Sequence, residues 1–146
     1  MDIFDMTIEP GDDSADSRRP CPDGKFLAIV TSVEKAENPN NGNQGLEIKL
    51  ALREALGGQD MTGVNIERVP VKNTVWVTER SRNVARDRVF YNIMPEERGK
   101  ALNVKQFAED AIGRSVIVNL QATTEDRQGN PLKFPRLDVT SYEPAS

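Results

Sequence analysis

The sequence contains no histidine and only one cysteine among its 146 residues. The absence of histidine excludes Ser-His-Asp and Cys-His nucleophiles, HExxH zinc sites and facial-triad iron sites. The lone Cys21 cannot form an internal disulfide, which is typical of a protein that works in a reducing cytoplasm. No GxxxxGK[ST] or GxGxxG segment occurs, so the common phosphate-cradling loops are missing. We therefore expect a protein that is not an enzyme and that uses no cofactor and no metal.

Long apolar runs are also missing. None approaches the ~18 residues that a membrane-spanning helix needs, so we expect no membrane partner. The first ten residues, MDIFDMTIEP, are acidic where a secretory signal would be basic, and this argues against export. The length and the 37% hydrophobic content suit one domain with a core of its own.

Charge is distributed unevenly along the chain. Residues 1–23 hold seven carboxylates and two arginines, a net charge of −5, so the remaining chain carries +1 of the total of −4. The pattern predicts an acidic N-terminal arm over residues 1–22 and a near-neutral domain over residues 23–146. Asp12, Asp13 and Asp16 cluster in the arm among glycine and serine, and without an apolar anchor they indicate a solvated tail rather than a metal site.

Alternating apolar residues predict five strands, at residues 25–33, 46–53, 65–78, 114–123 and 132–142. Pro70 interrupts the third and Pro135 the fifth, which argues for bends or edge positions. A helix is predicted after the third strand, with Thr78 or Ser81 as its N-cap and Met94 near its end. A second helix begins at Asn103, three residues before Gln106 as in a capping box, and ends at Gly113.

This order predicts a mainly β fold, a five-stranded OB-like Greek-key barrel with helices between strands 3 and 4. The first strand is apolar on both faces and the third is bent, which favours the barrel. The alternative is an antiparallel sheet with helices packed on one face.

Several segments resemble a known family. They are the opening PDGKFLAIV, the Asn/Gly-rich loop before GLEIKLAL, and the helix-to-strand step FAEDAIGRSVIVNLQ before RQGNPLKFPRLDV. From about Phe4 to Tyr142 the chain is similar to small bacteriophage proteins that are regarded as OB-fold single-stranded DNA-binding proteins of replication and recombination. The resemblance implies single-stranded DNA as the partner and the cytoplasm of an infected bacterium as the location.

Binding of a single strand requires cations that follow the phosphates and aromatic rings on which bases stack. Trp76 shares a strand face with Lys72 and Thr74, and Lys49 and Arg53 lie on the outward face of the preceding strand. Together Lys49, Arg53, Lys72 and Trp76 predict a cationic patch around an aromatic ring. The alternatives are solvated surface charges and a tryptophan that closes one end of the barrel.

The segment RSRNVARDR places Arg80, Arg82, Arg86 and Arg88 within nine residues. On a helix, Ala85, Val89 and Ile93 form a core stripe, and Arg82, Arg86 and Phe90 run beside it. Arginines four residues apart repel one another, so we expect them to meet an anion, either phosphate or the acidic arm.

In the last strand, Lys133, Phe134 and Arg136 complete the candidate nucleic-acid-binding residues. The ring of Phe134 suits a position in the core as well as a position on which a base stacks.

Three functions follow as alternatives. The first is a non-catalytic, largely sequence-independent single-stranded DNA-binding protein. The second is a protein–protein adaptor or host-defence inhibitor with an acidic docking arm, and the third is a carboxylate-dependent nuclease. Further partners left open are a phage or host replication or recombination protein, bound through the arm, and a second copy of the chain.

Overall fold

The computed structural model describes residues 3–5 and 20–145, leaving out the side chains of Lys133 and Phe134. Five strands are present: β1 (Gly24–Glu37), β2 (Gln44–Ala55), β3 (Pro70–Trp76), β4 (Ser115–Glu125) and β5 (Pro131–Pro144). Between β3 and β4 lie α1 (Arg82–Ala85), a π-helical segment (Arg86–Phe90), α2 (Tyr91–Ile93), a 3-10 turn (Pro95–Glu97) and α3 (Val104–Asp110). Two more 3-10 turns cover Ile3–Asp5 and Ile66–Arg68. The fold is mainly antiparallel β, as predicted.

The strands form one sheet in the order β3-β2-β1-β4-β5, and every neighbouring pair is antiparallel. The central strand is β1, where Phe26, Ala28 and Val30 are fully buried. The apolar residues on both of its faces are typical of a central strand. Five antiparallel strands in this order are consistent with an OB-like fold, which is itself a partly open barrel.

The sheet is not closed, and the prediction of a barrel is corrected in this respect. The two edge strands are β3 and β5, and within the described residues no hydrogen-bond ladder joins them. Each contains a proline, Pro70 and Pro135, which has no N–H to donate to a ladder and is confined to sheet edges. β3 and β5 lie close to one another across a gap that has no such ladder in the described part of the chain.

The core lies between the sheet and the helices. Leu46, Ile48, Leu50 and Leu52 of β2 all face inward, as the alternation of the sequence predicted. On the helical side, the rings of Phe90 and Phe107 pack with centroids 4.3 Å apart. Apolar residues from all five strands join this one cluster.

The helix predicted near residues 81–94 forms, but its middle is π-helical. Ala85 and Ile93 are buried and Val89 is partly buried against the core. Phe90, which the α-helical spacing placed in line with Arg82 and Arg86, is only 1% exposed and belongs to the core. The π turn is wider than an α turn, and this change in register rotates Phe90 into the core.

The second helix is capped as predicted, because the Asn103 side chain accepts the backbone N–H of Gln106 at 2.9 Å. It runs over Val104–Asp110 and is followed by Gly113, whose φ of 90° favours glycine. Among the described residues, no helix has the length and apolarity required to cross a bilayer.

Candidate nucleic-acid interface

A groove follows the open gap between β3 and β5. It consists of two cavities of about 710 and 620 Å³ whose walls share Asn73 and Thr74 of β3. We call this the seam groove. One cavity lies at the start of β3 and beneath the β4–β5 hairpin, and the other lies at the end of β3 beside the helices.

The first cavity, which we call the cationic end, is lined by Lys49, Lys72, Arg127 and Arg136. Lys49 of β2 lies directly opposite Lys72 of β3 in the antiparallel register, and both are exposed. Like charges directly opposite one another destabilise a sheet, so this pair favours an anion at the surface. Three strands and a hairpin loop, far apart in sequence, supply the four cations.

One carboxylate, Asp138, also lines the cationic end. It is paired with Arg136, whose Nε lies 3.1 Å from Oδ1, and it accepts the hydroxyl of Thr123 at 2.8 Å. Within the described part of the chain, Lys49, Lys72 and Arg127 form no ion pair. The net charge of this end is therefore positive.

Arg127 is held at the tip of the β4–β5 hairpin by a rigid turn. The Asp126 carboxylate accepts the backbone N–H groups of Gln128 and Asn130, both at 2.9 Å. The hydrogen bond from the Asn130 N–H is the main reason that the pKa of Asp126 is lowered. The predicted strands at residues 114–123 and 132–142 leave this segment as their connection, but Arg127 was missed, because turn residues do not reveal which surface a hairpin covers.

The second cavity, which we call the aromatic end, contains Trp76, Val84, Asp87 and Arg88. Trp76 is 37% exposed on the outer face of β3, so it does not close an end of the core. In the register it lies opposite Gly45. A Cβ on Gly45 would overlap the carbonyl oxygen of Val75 and lie 2.9 Å from the Trp76 Cα, so β2 and β3 can approach this closely only with glycine there.

Of the four arginines in RSRNVARDR, only Arg88 lines the seam groove. Arg86 pairs with Asp87, with Nε 2.8 Å from Oδ1 and Nη2 3.3 Å from Oδ2. This hydrogen bond raises the pKa of Arg86 and lowers the pKa of Asp87. The Arg86 guanidinium also lies 5.8 Å from the centre of the Tyr91 ring.

The remaining predicted residues are not brought together with these. Arg53, Arg80 and Arg82 are exposed but line neither cavity of the groove. The side chains of Lys133 and Phe134, and the arm apart from residues 3–5 and 20–22, lie outside the described residues. The acidic cluster at residues 12–16 falls in that same part of the arm.

The floor of the groove is a hydrogen-bond network that sequence reasoning missed. Asn73 of β3 donates to the hydroxyl of Tyr142 of β5 at 2.9 Å. Asn92 donates to the backbone carbonyls of Arg88 and Tyr142, both at 2.8 Å. Burial raises the pKa of Tyr142 to about 12, although the Asn73 hydrogen bond opposes the shift. Nothing in the local pattern of either strand signals this long-range pairing.

The described residues also bear on metal chemistry. Among them, no group of three or more Asp, Glu or Cys side chains is arranged to hold a metal ion.

No protein-family model matches the chain, and no curated protein matches its sequence. A solved structure described as "Yeast RPA bound to ssDNA" superposes on 98% of this chain and on 84% of that chain, with a TM-score of 0.40 and 8% sequence identity. Both values are low. What relates the sheet to an OB-like fold is its strand order.

Proposed function

We propose that the protein is a non-catalytic single-stranded DNA-binding protein that holds the strand in the seam groove. One observation carries the proposal: cations without carboxylate partners among the described residues line a groove that ends at an exposed tryptophan. Such a groove suits a chain of phosphates, and the tryptophan suits an unstacked base. In OB folds, the outer face of strands 2 and 3 and the loop between strands 4 and 5 form the surface that binds oligonucleotides.

The paired lysines support an anionic ligand. The antiparallel register holds the backbones of Lys49 and Lys72 opposite one another, which keeps two like charges at neighbouring positions on one exposed face. A phosphate between them would replace this repulsion with two attractive contacts. Release of counterions from the DNA would add to the affinity.

The side chains available in the groove also favour binding with little preference for the base sequence of the DNA. Asn73 and Asn92, amides that could read base edges, are already engaged in the network beneath the groove. The remaining contacts are charges, which recognise phosphate, and an aromatic face, on which any base can stack. Binding would therefore depend on salt more than on sequence.

The biological setting rests on the sequence resemblance described above. We propose a bacteriophage protein that protects or presents single strands during replication or recombination, in the cytoplasm of the infected cell.

A second candidate function is supported by a specific feature of the arm. In the 3-10 turn Ile3–Asp5, Ile3 is 73% and Phe4 is 90% exposed, next to acidic residues. A segment of this kind suits docking on a basic, partly apolar surface of another protein. An adaptor or host-defence inhibitor would bind its partner through this turn and would not bind DNA.

Fluorescence anisotropy with labelled oligo-dT over a range of salt concentrations tests the proposal. The wild type should bind, and the logarithm of its affinity should fall linearly with the logarithm of salt. Lys49→Ala/Lys72→Ala should weaken binding and reduce the slope by up to ~0.7 per lost phosphate contact.

The matched control is Arg53→Ala/Arg82→Ala, which removes the same charge from exposed positions outside the groove. It should leave the slope unchanged. No binding of oligo-dT by the wild type, together with capture of a protein partner that depends on Ile3 and Phe4, would favour the adaptor instead.

A further inference from the structure

The aromatic end of the seam groove contains a carboxylate that should oppose the proposed ligand. Asp87 lines this cavity together with Arg88 and Trp76. A phosphate that approaches Arg88 must therefore pass close to a negative charge. At a surface site such a charge acts over about a Debye length, roughly 10 Å at 0.1 M salt.

Arg86 neutralises this charge. It meets Asp87 through two nitrogen atoms, Nε at 2.8 Å from Oδ1 and Nη2 at 3.3 Å from Oδ2. A two-point contact fixes the relative orientation of guanidinium and carboxylate. The other groove carboxylate among the described residues, Asp138, is paired with Arg136 through Nε alone, 3.1 Å from Oδ1 and 3.4 Å from Oδ2.

Arg86 is held outside the groove by the residues on its other side. Its guanidinium lies over the ring of Tyr91, and Arg98 lies over the same ring at the same distance of 5.8 Å. Tyr91 is buried, and its hydroxyl donates to the carbonyl of Lys100 at 2.5 Å. The ring is therefore a fixed support, and Arg86 bridges it to Asp87.

We infer that Arg86 is a positioning residue, which neutralises Asp87 and so lets a polyanion occupy the aromatic end of the groove. This rests on the proposed function, and it gives Arg86 a role different from that of Arg88, two residues away. Arg88 would contact phosphate directly, whereas Arg86 would act only through Asp87.

A double-mutant cycle read by oligo-dT binding tests this inference. Arg86→Ala should lower affinity about two- to fivefold at low salt, the effect of one uncovered charge several ångströms from a phosphate near the surface. Asp87→Asn should bind at least as tightly as the wild type. In the Asp87→Asn background, Arg86→Ala should have little further effect. Arg86→Lys, which keeps the positive charge, should restore most of the affinity.

The outcomes separate the alternatives. An equal loss from Arg86→Ala in both backgrounds would mean that Arg86 contacts the DNA itself or supports the helix, and would overturn the inference. Arg82→Ala removes the same charge from the same helical region, and a loss as large as that of Arg86→Ala would have the same consequence. If the wild type fails to bind oligo-dT, the proposed function falls and the inference falls with it.

Discussion

Asn73 and Tyr142 join the two edge strands of the sheet across a gap that no backbone ladder closes in the described part of the chain. The Asn73 Nδ2 donates to the Tyr142 hydroxyl at 2.9 Å, and Tyr142 is only 5% exposed. This contact lies in the floor of the seam groove. The distance between β3 and β5, and with it the width of the groove, depends in part on one side-chain hydrogen bond.

Titration of Tyr142 should report the burial of its hydroxyl. Its pKa is raised to about 12 in the folded protein, above the value of about 10 in unfolded chains. The neutral hydroxyl is thus favoured by folding. Its contribution to the free energy of unfolding is complete below pH 10 and is lost as pH rises through 12. Urea unfolding should show a loss of roughly 2–3 kcal/mol over this window.

Tyr142→Phe provides the comparison. It should cost about 0.5–1.5 kcal/mol at pH 7, because the Asn73 amide loses its acceptor. It should also remove the part of the loss of stability at alkaline pH that is caused by ionisation of Tyr142. If the free energy of unfolding of the mutant and of the wild type fell in parallel from pH 9 to 12, the loss of stability would not be due to Tyr142.

Trp76 should report binding directly, since it is the only tryptophan in the chain. Its fluorescence should be quenched by oligo-dT if a base stacks on its exposed face. Trp76→Ala should weaken binding by ~1–3 kcal/mol, whereas Trp76→Phe, which keeps an aromatic face, should lose less. A folded Trp76→Ala protein with unchanged affinity would show that no base stacks there.

The turn at residues 126–130 should affect DNA binding because it positions Arg127. Asp126→Ala removes the acceptor of two backbone N–H groups, so hydrogen exchange at Gln128 and Asn130 should accelerate. Affinity for oligo-dT should fall, but less than in Arg127→Ala, which also reduces the salt slope by up to ~0.7. Asp126→Asn keeps an oxygen acceptor and is the control.

Acid should loosen the same turn. The pKa of Asp126 is lowered in the folded protein. The contribution of its carboxylate to stability is therefore complete above its pKa in the unfolded chain, and it is lost as pH falls through its pKa in the folded protein. Hydrogen exchange at Gln128 that does not respond to the Ala substitution would show that the turn is held by other contacts.

The acidic arm should compete with DNA for the cations of the domain. Removal of residues 1–19 should tighten oligo-dT binding, most visibly at low salt, because a tethered segment has an effective concentration of order mM. The matched control keeps the length and replaces Asp12, Asp13 and Asp16 with Asn. It should reproduce part of the gain if charge is the cause. Unchanged affinity in both variants would leave the arm a partner-docking segment or an inert leader.

The sequence by itself determined the order of the five strands, the capped helix α3 and the inward face of β2. The third strand, predicted over residues 65–78, is shorter, because Ile66–Arg68 forms a 3-10 turn and the strand spans Pro70–Trp76. Leu46, Ile48 and Leu50 alternate with polar residues, and burial of one strand face follows from that alternation. The exposed positions of Lys49, Lys72 and Trp76 follow for the same reason. Pro70 and Pro135 marked the two edge strands, because a proline cannot donate to a ladder.

Only the tertiary structure decided which cations share one surface. Arg127 joins Lys49 and Lys72 because the β4–β5 hairpin reaches the start of β3, a relation between segments more than fifty residues apart. The π-helical segment turns Phe90 into the core, whereas an ideal α-helical period placed Arg86 and Phe90 in line beside the core stripe. Periodicity is a local property of a strand or helix. The distance between the two edge strands, by contrast, depends on the packing of the whole core.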